Sequence, residues 1–164
     1  MPLETTATRV WKRLTRDERL AAASAFWLET PAESAGAALA AIVRARHLRP
    51  QVARQLDAEE KARSLASVLD PGESVASALL VALHLGPRRA MLVPFLDAAG
   101  LAHDNGILKD EAGEPVSEAA ARGGVQALRA SFTPAEIETY LNTLWLQDPD
   151  RWEVLAASPE WLSG

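Results

Sequence analysis

The chain has 164 residues, 24% of them charged, a formal net charge of −5 and no cysteine. The missing thiols exclude disulfides, thiolate nucleophiles and sulfur-ligated zinc, and the length suffices for a single domain burying about 70% of the surface its unfolded form exposes. Alanine at 32 positions with few β-branched residues favours helix throughout, so an all-α fold is expected.

The start, MetProLeuGluThrThr, lacks the basic residues and apolar run of a secretory signal, which makes cytoplasmic residence the default expectation. Five capping boxes punctuate the chain, each with a short oxygen-bearing side chain and a glutamate three residues on. They are Thr15/Glu18, Thr30/Glu33, Asp57/Glu60, Asp70/Glu73 and Thr133/Glu136. Pro31, Pro71 and Pro134 stand at the first helical position of three of them.

In chain order, residues 4–13 suggest a short helix with Val10 and Trp11. Helix 16–29 presents Leu20, Ala23 and Trp27 as a buried stripe. Helix 31–46 carries Leu39, Ile42 and Val43 and enough small residues for close packing. ArgHisLeuArgPro (46–50) breaks it, and one or two further turns follow at 50–56. Helix 58–69 has the stripe Ala62, Leu65, Ala66 and Leu69, with Glu59 and Arg63 as an exposed i, i+4 pair.

Residues 73–100 are the stretch around which the rest is expected to assemble. From Val75 to Leu85 there is no Asp, Glu, Lys or Arg, and apolar side chains cover nearly the whole helix circumference. Such a helix must be surrounded by other elements, and at about eleven residues it is too short for a bilayer, which needs roughly 20. Gly86 suits a left-handed helix end, and Pro87 suits the start of helix 88–99, whose Met91, Leu92, Phe95 and Leu96 share a side. Pro94 implies a kink or a late start, and Gly100 the end. The expectation is a compact single-domain bundle of about six to eight short helices around a buried hairpin, 73–99.

Beyond it, 101–116 is irregular, with Asn105-Gly106 as the turn of a short hairpin. Helix 117–131, weakened by Gly123 and Gly124, turns Val125, Leu128 and Phe132 inward. Helix 134–147 matches the full helical stripe with Ile137, Tyr140, Leu141, Leu144 and Trp145. AspProAsp (148–150) opens a last short helix with Trp152, Val154 and Leu155. No fixed period links these elements, so no repeat fold is implied.

Phosphate-binding, dinucleotide-binding, zinc-protease and serine-hydrolase motifs are all missing from the sequence. A calcium loop with Gly106 at its glycine position would begin on Leu101 and end on Ala112, which cannot coordinate.

Three clusters remain. In the turn His84-Leu85-Gly86-Pro87-Arg88-Arg89, a helix amino terminus beside two guanidiniums suits a small anion; the competing reading is structural, with Arg88 and Arg89 paired to acidic neighbours and His84 in the core. In the loop, His103 and Asp104, with Asp97, Asp110 and Glu111 nearby, suit acid–base or metal chemistry, against a solvated acidic loop. With one imidazole there, and the others at His47 and His84, no metal site or cofactor is expected. The third cluster is the basic strip Arg44, Arg46, His47, Arg49 and Arg54, flanked by Arg9, Lys12, Arg13, Arg16 and Arg19. It suits an acidic partner, although positive charge is also favoured at a helix carboxyl end.

Residues 1–70 hold 11 Lys+Arg against 9 Asp+Glu, and residues 71–164 hold 6 against 13. This asymmetry suits a protein partner, whereas a pI near 5.2 argues against nucleic acid. Trp11, Trp152 and Trp161 lie in terminal segments that suit a contact between copies. The sequence thus points first to a non-catalytic helical protein-binding or adaptor module. An anionic-ligand binder or enzyme using 84–89 and 101–111 comes second, and a homo-oligomeric structural protein third.

Overall fold

The computed structural model describes residues 3–29, 32–109 and 113–157. The Thr30/Glu33 box with Pro31, the acidic pair Asp110 and Glu111, and Trp161 therefore lie outside the described residues. The fold is all-α: ten α-helices form among the described residues, three of them with seven residues or fewer, beside one two-stranded hairpin. No single described helix is long and apolar enough to cross a membrane. The contacts divide the chain into two compact units, residues 6–87 and residues 3–5 with 88–157.

The first unit contains α1 (Ala7–Arg13), α2 (Arg16–Glu29), α3 (Ala32–Arg46), α4 (Pro50–Gln55), α5 (Ala58–Ala66) and α6 (Glu73–Leu85). From Val75 to Leu85 no residue of α6 is exposed, as its all-round apolarity requires, and α1, α2 and α3 pack on it. The Thr15/Glu18 box is reciprocal: the Thr15 amide donates to the Glu18 carboxylate at 2.7 Å, and the Glu18 amide donates to Thr15 Oγ1 at 3.2 Å. Asp57 caps α5 by accepting from the Glu60 amide at 2.8 Å.

Asp70/Glu73 does not form a box. Helix α6 starts at Glu73 with Gly72 as its cap at φ 92°. The Glu73 carboxylate accepts instead from the amides of Ala7 and Thr8 and from Thr8 Oγ1. It caps the amino end of α1, 66 residues away in sequence, where a negative charge meets free N–H groups.

Several stripe positions also move. Phe26, not its neighbour Trp27, is buried in α2; Trp27 is half-buried, edge-on to Phe26 and under Lys61 Nζ, 5.6 Å from its ring centre. Helix α5 ends at Ala66, so its periodicity stops there, and Val68 is buried while Leu69 is 50% exposed. Gly86 is not left-handed, at φ −107°. A Cβ there would lie 3.0 Å from the Ala25 methyl and 3.1 Å from the Ala82 carbonyl oxygen, so glycine lets the chain leave α6 close against α2.

The second unit contains a 3-10 turn (Arg89–Met91), α7 (Leu92–Ala99), β1 (His103–Asp104), β2 (Ile107–Leu108), α8 (Glu118–Leu128), α9 (Pro134–Gln147) and α10 (Glu153–Ala157). Helices α6 and α7, read from sequence as one hairpin, thus belong to different units. Pro87 precedes the 3-10 turn and does not open α7. The late start at Leu92 puts Pro94 in the first turn, where its missing N–H removes no helical bond. Gly100 ends α7 at φ 71°, and the Leu101 amide reaches back to the Leu96 carbonyl at 3.0 Å, closing a Schellman-type end.

Phe95 sits at the centre of this unit. Its ring meets Tyr140 edge-on at 5.1 Å between centroids and lies tilted against Trp152 at 5.9 Å. Burial pushes the Tyr140 phenol above its ordinary range, so the ring stays neutral in the core. Helix α8 lies on α7 through the glycine pair: a Cβ at Gly124 would fall 2.6 Å from the Phe95 ring, and one at Gly123 would fall 3.0 Å from the Ala98 carbonyl oxygen. The glycines read as weakening α8 are what permit its close packing. Helix α9 has the expected limits and the full Thr133/Glu136 box.

These contacts predict opposite signs for one substitution at two helical glycines. Gly36 in α3 has nothing within 4 Å of its would-be Cβ, so Gly36→Ala should stabilise by about 0.5–1 kcal/mol through helix propensity. Gly124→Ala must displace a locked aromatic ring, at an overpacking cost of about 1–3 kcal/mol that outweighs the same gain. Urea unfolding of both variants checks the pair.

Candidate functional site

The three clusters fare differently. In the 84–89 turn, His84 is 3% exposed and its Nδ1 lies 2.8 Å from the Leu80 carbonyl oxygen. A carbonyl only accepts, so Nδ1 carries the hydrogen and fixes the ring to its own helix. Arg88 is 9% exposed and adopts a turn conformation, while Arg89 donates from Nη2 to the Asn105 carbonyl at 3.1 Å. His84 belongs to the first unit and Arg88 and Arg89 to the second. The α-helix expected to offer its amino terminus beside the arginines begins only at Leu92.

The loop cluster forms a hairpin held against α7. Asn105 and Gly106 take left-handed φ values of 47° and 94°, as a type I′ turn needs, and His103 pairs with Leu108 and Asp104 with Ile107. The Gly106 amide donates to His103 Nδ1 at 3.0 Å, and His103 Nε2 lies 2.7 Å from Asp97 Oδ1. Since the amide can only donate, Nδ1 presents its lone pair and Nε2 carries the hydrogen, which goes to the Asp97 carboxylate. Both ring nitrogens are thereby engaged: a base would have to release the Gly106 amide before taking a proton. Asp104, read beside His103 as a candidate ligand, is exposed, and the carboxylate on the ring is that of Asp97. Among the described residues no three His, Asp or Glu side chains converge as a metal site.

The basic strip is the cluster that stays available to solvent. Arg44, Arg46, His47, Arg49 and Arg54 are all exposed. They occupy the corner where α3 ends and α4 begins, two helices that pack on each other. His47 takes the left-handed conformation at φ 53°, and the Leu48 amide reaches the Val43 carbonyl at 3.2 Å, so the helix end is closed by backbone while the side chains point outward. Arg46 donates to Ser64 Oγ at 2.6 Å and ties α3 to α5. Arg44, Arg49 and Arg54 have no ion-pair partner among the described residues. Of the flanking cations, Arg19 is spent on the carbonyls of Ala66 and Leu14, at 3.0 and 2.6 Å.

Two tryptophans proposed for a contact between copies are core residues. Trp11 is 0% exposed with its Nε1 donating to the Val68 carbonyl at 2.8 Å, and Trp152 is 1% exposed against Phe95. Their rings offer no surface to a second copy. A feature not read from sequence is a shallow depression of about 360 Å³ on α8, lined by Arg122, Gly123, Val125, Gln126 and Arg129. The 122, 126, 129 spacing could have disclosed it; Arg122 is there ion-paired with Glu118 at 2.6 Å.

Comparison with known proteins adds no likeness: no family model, curated protein or solved structure matches the chain.

The hairpin geometry makes a prediction of its own. A methyl group at Gly106 would fall 2.7 Å from Leu92 Cβ, at a φ that side chains rarely adopt. Gly106→Ala should therefore destabilise by about 1–3 kcal/mol, with amide exchange in 103–108 accelerating before that of α9. Hydrogen-exchange mass spectrometry would show the order.

Proposed function

We propose that the chain is a non-catalytic helical binding module, working in the cytoplasm, whose basic corner at α3–α4 engages an acidic segment of another protein. The observation that carries this reading is the exposure of Arg44, Arg49 and Arg54 without a carboxylate partner among the described residues. Elsewhere the exposed arginines Arg63 and Arg122 each pair with a glutamate one turn away, Glu59 and Glu118. At the corner the sequence supplies no glutamate or aspartate between Glu33 and Asp57, so four arginines accumulate with no acidic residue close in sequence.

Such a surface favours carboxylate-rich partners through long-range attraction and bidentate guanidinium–carboxylate bonds. Arg46 adds charge at the same edge, and backbone bonds at the helix end hold its shape, which lowers the ordering cost of binding. An overall pI near 5.2 disfavours approach to nucleic acid while leaving a local basic patch effective at short range.

The test is a titration of the isotope-labelled chain with a glutamate-rich peptide, followed by amide shifts. The expected shifts map to residues 44–54, weaken as salt is added, and lose about tenfold or more in affinity when Arg44, Arg49 and Arg54 are replaced by glutamate. These side chains are exposed, so the triple variant should unfold at nearly the parent temperature. Equal affinity of parent and variant, or shifts centred elsewhere, would sink the proposal; tighter binding of a DNA duplex than of the peptide would turn it towards nucleic acid.

A further inference from the structure

We infer that His103 is an acid-released latch on the 103–108 hairpin, a device independent of the basic corner. The neutral ring makes two bonds that require opposite chemistry at its nitrogens. Nε2–H donates to Asp97 on α7, while the Nδ1 lone pair accepts from the Gly106 amide at 3.0 Å. The second bond holds the turn; the first holds the ring to the helix.

A proton from solvent can bond to the ring only by using the Nδ1 lone pair. The ring then carries two N–H donors and no acceptor, and its new N–H faces the N–H of Gly106. Two donors cannot remain at hydrogen-bond distance, so the Gly106 bond breaks as the N–H bond forms. Flipping the ring offers no escape, because both nitrogens of the cation are donors. The Asp97 carboxylate, on a side chain 66% exposed, keeps the charged ring on α7. The ring stays on the helix and the turn is let go.

Among the described residues, three charged groups lie around the latch. Asp97 faces Nε2 from α7; Arg89 comes from the 3-10 turn, with its guanidinium on the Asn105 carbonyl; Asp104 is exposed and follows His103 on β1. Once the Gly106 bond is lost, what still holds the hairpin among the described residues is the Arg89 bond, its own strand pairing, the Lys109 amide on the Ala102 carbonyl at 3.2 Å and the close approach of Gly106 to Leu92. With two residues per strand, that is little to hold a hairpin by itself. Because α7 and α8 keep their contacts, the expected motion is local to 103–108.

Nuclear magnetic resonance on the full chain tests this, following the His103 ring carbon and the Gly106 amide through an acid titration. The expected result is one midpoint for both, with Gly106 exchange, corrected for its intrinsic pH dependence, rising about fivefold as the ring charges, the worth of one ordinary hydrogen bond. Core amides of α7 should stay protected. His103→Gln supplies an oxygen for the Gly106 amide and an amide hydrogen for Asp97 without titrating, and should abolish the response. In Asp97→Asn, where no carboxylate titrates at that position, the response should persist.

Three results would overturn the latch. The ring could charge without any change at Gly106. It could stay neutral until the whole chain unfolds. Or the Gly106 response could survive in His103→Gln or vanish in Asp97→Asn, which would assign it to another group.

Discussion

A helix with apolar side chains on every side is stable in water only if other helices cover each of those sides, and this requirement governs the first unit. From Val75 to Leu85 nothing on α6 is exposed. Three helices share the covering, and each approaches by a different local means. Helix α1 is drawn in by its own amino end, whose N–H groups find the Glu73 carboxylate at the start of α6. Helix α2 comes close at the opposite end because Gly86 has no side chain to hold Ala25 away. Helix α3 contributes Ala38, Ala41 and Ile42, all buried, from a face of small residues. Burial of α6 and capping of α1 are thus one arrangement, since the carboxylate that caps α1 belongs to the first residue of α6.

In the second unit an aromatic ring has the corresponding part. Phe95 fills the space among α7, α8, α9 and the Trp152 turn, and it can do so only where α8 has no Cβ. A glycine pair in mid-helix costs roughly 1 kcal/mol per residue in propensity, yet burying a phenylalanine ring returns about 1.5–3 kcal/mol, and the edge contact with Tyr140 adds about 0.5–1.5 kcal/mol. Packing therefore outweighs propensity at this crossing. The hairpin is tied to the same α7 by smaller means, one histidine and the absent side chain of Gly106, and to the preceding 3-10 turn by one arginine.

Local chemistry made much of this legible in the sequence. Thr15/Glu18 and Thr133/Glu136 form boxes as their spacing implies, and α2 and α9 have the limits those boxes set. Asn105-Gly106 makes its turn for the same reason, that the requirement is met within four residues. What could not be read was set by residues distant in sequence. Glu73 has a box partner three residues back, but the amino end of α1 competes for the same carboxylate and wins. Phe26 and Trp27 are adjacent and differ by about 100° around the helix, so a small rotation of α2 decides which is buried. Gly123 and Gly124 read as weakness because only their neighbours on α7, the Ala98 carbonyl and the Phe95 ring, explain them.

The candidate clusters divide along the same line. Arg88, Arg89 and His84 looked like one cluster because they are close in sequence, but each has its own surroundings. Arg88 is buried, Arg89 reaches the Asn105 carbonyl, and His84 is held by the Leu80 carbonyl. The exposure of the basic corner needs no distant partner to account for it. A stretch without acidic residues from 34 to 56 cannot neutralise its own arginines, and a helix end closed by backbone bonds at Val43 and Leu48 leaves no capping work for their side chains. Charge that the fold does not use for itself is what the proposed partner would meet. That physical distinction, rather than the density of charge along the chain, separates the α3–α4 corner from the 84–89 turn.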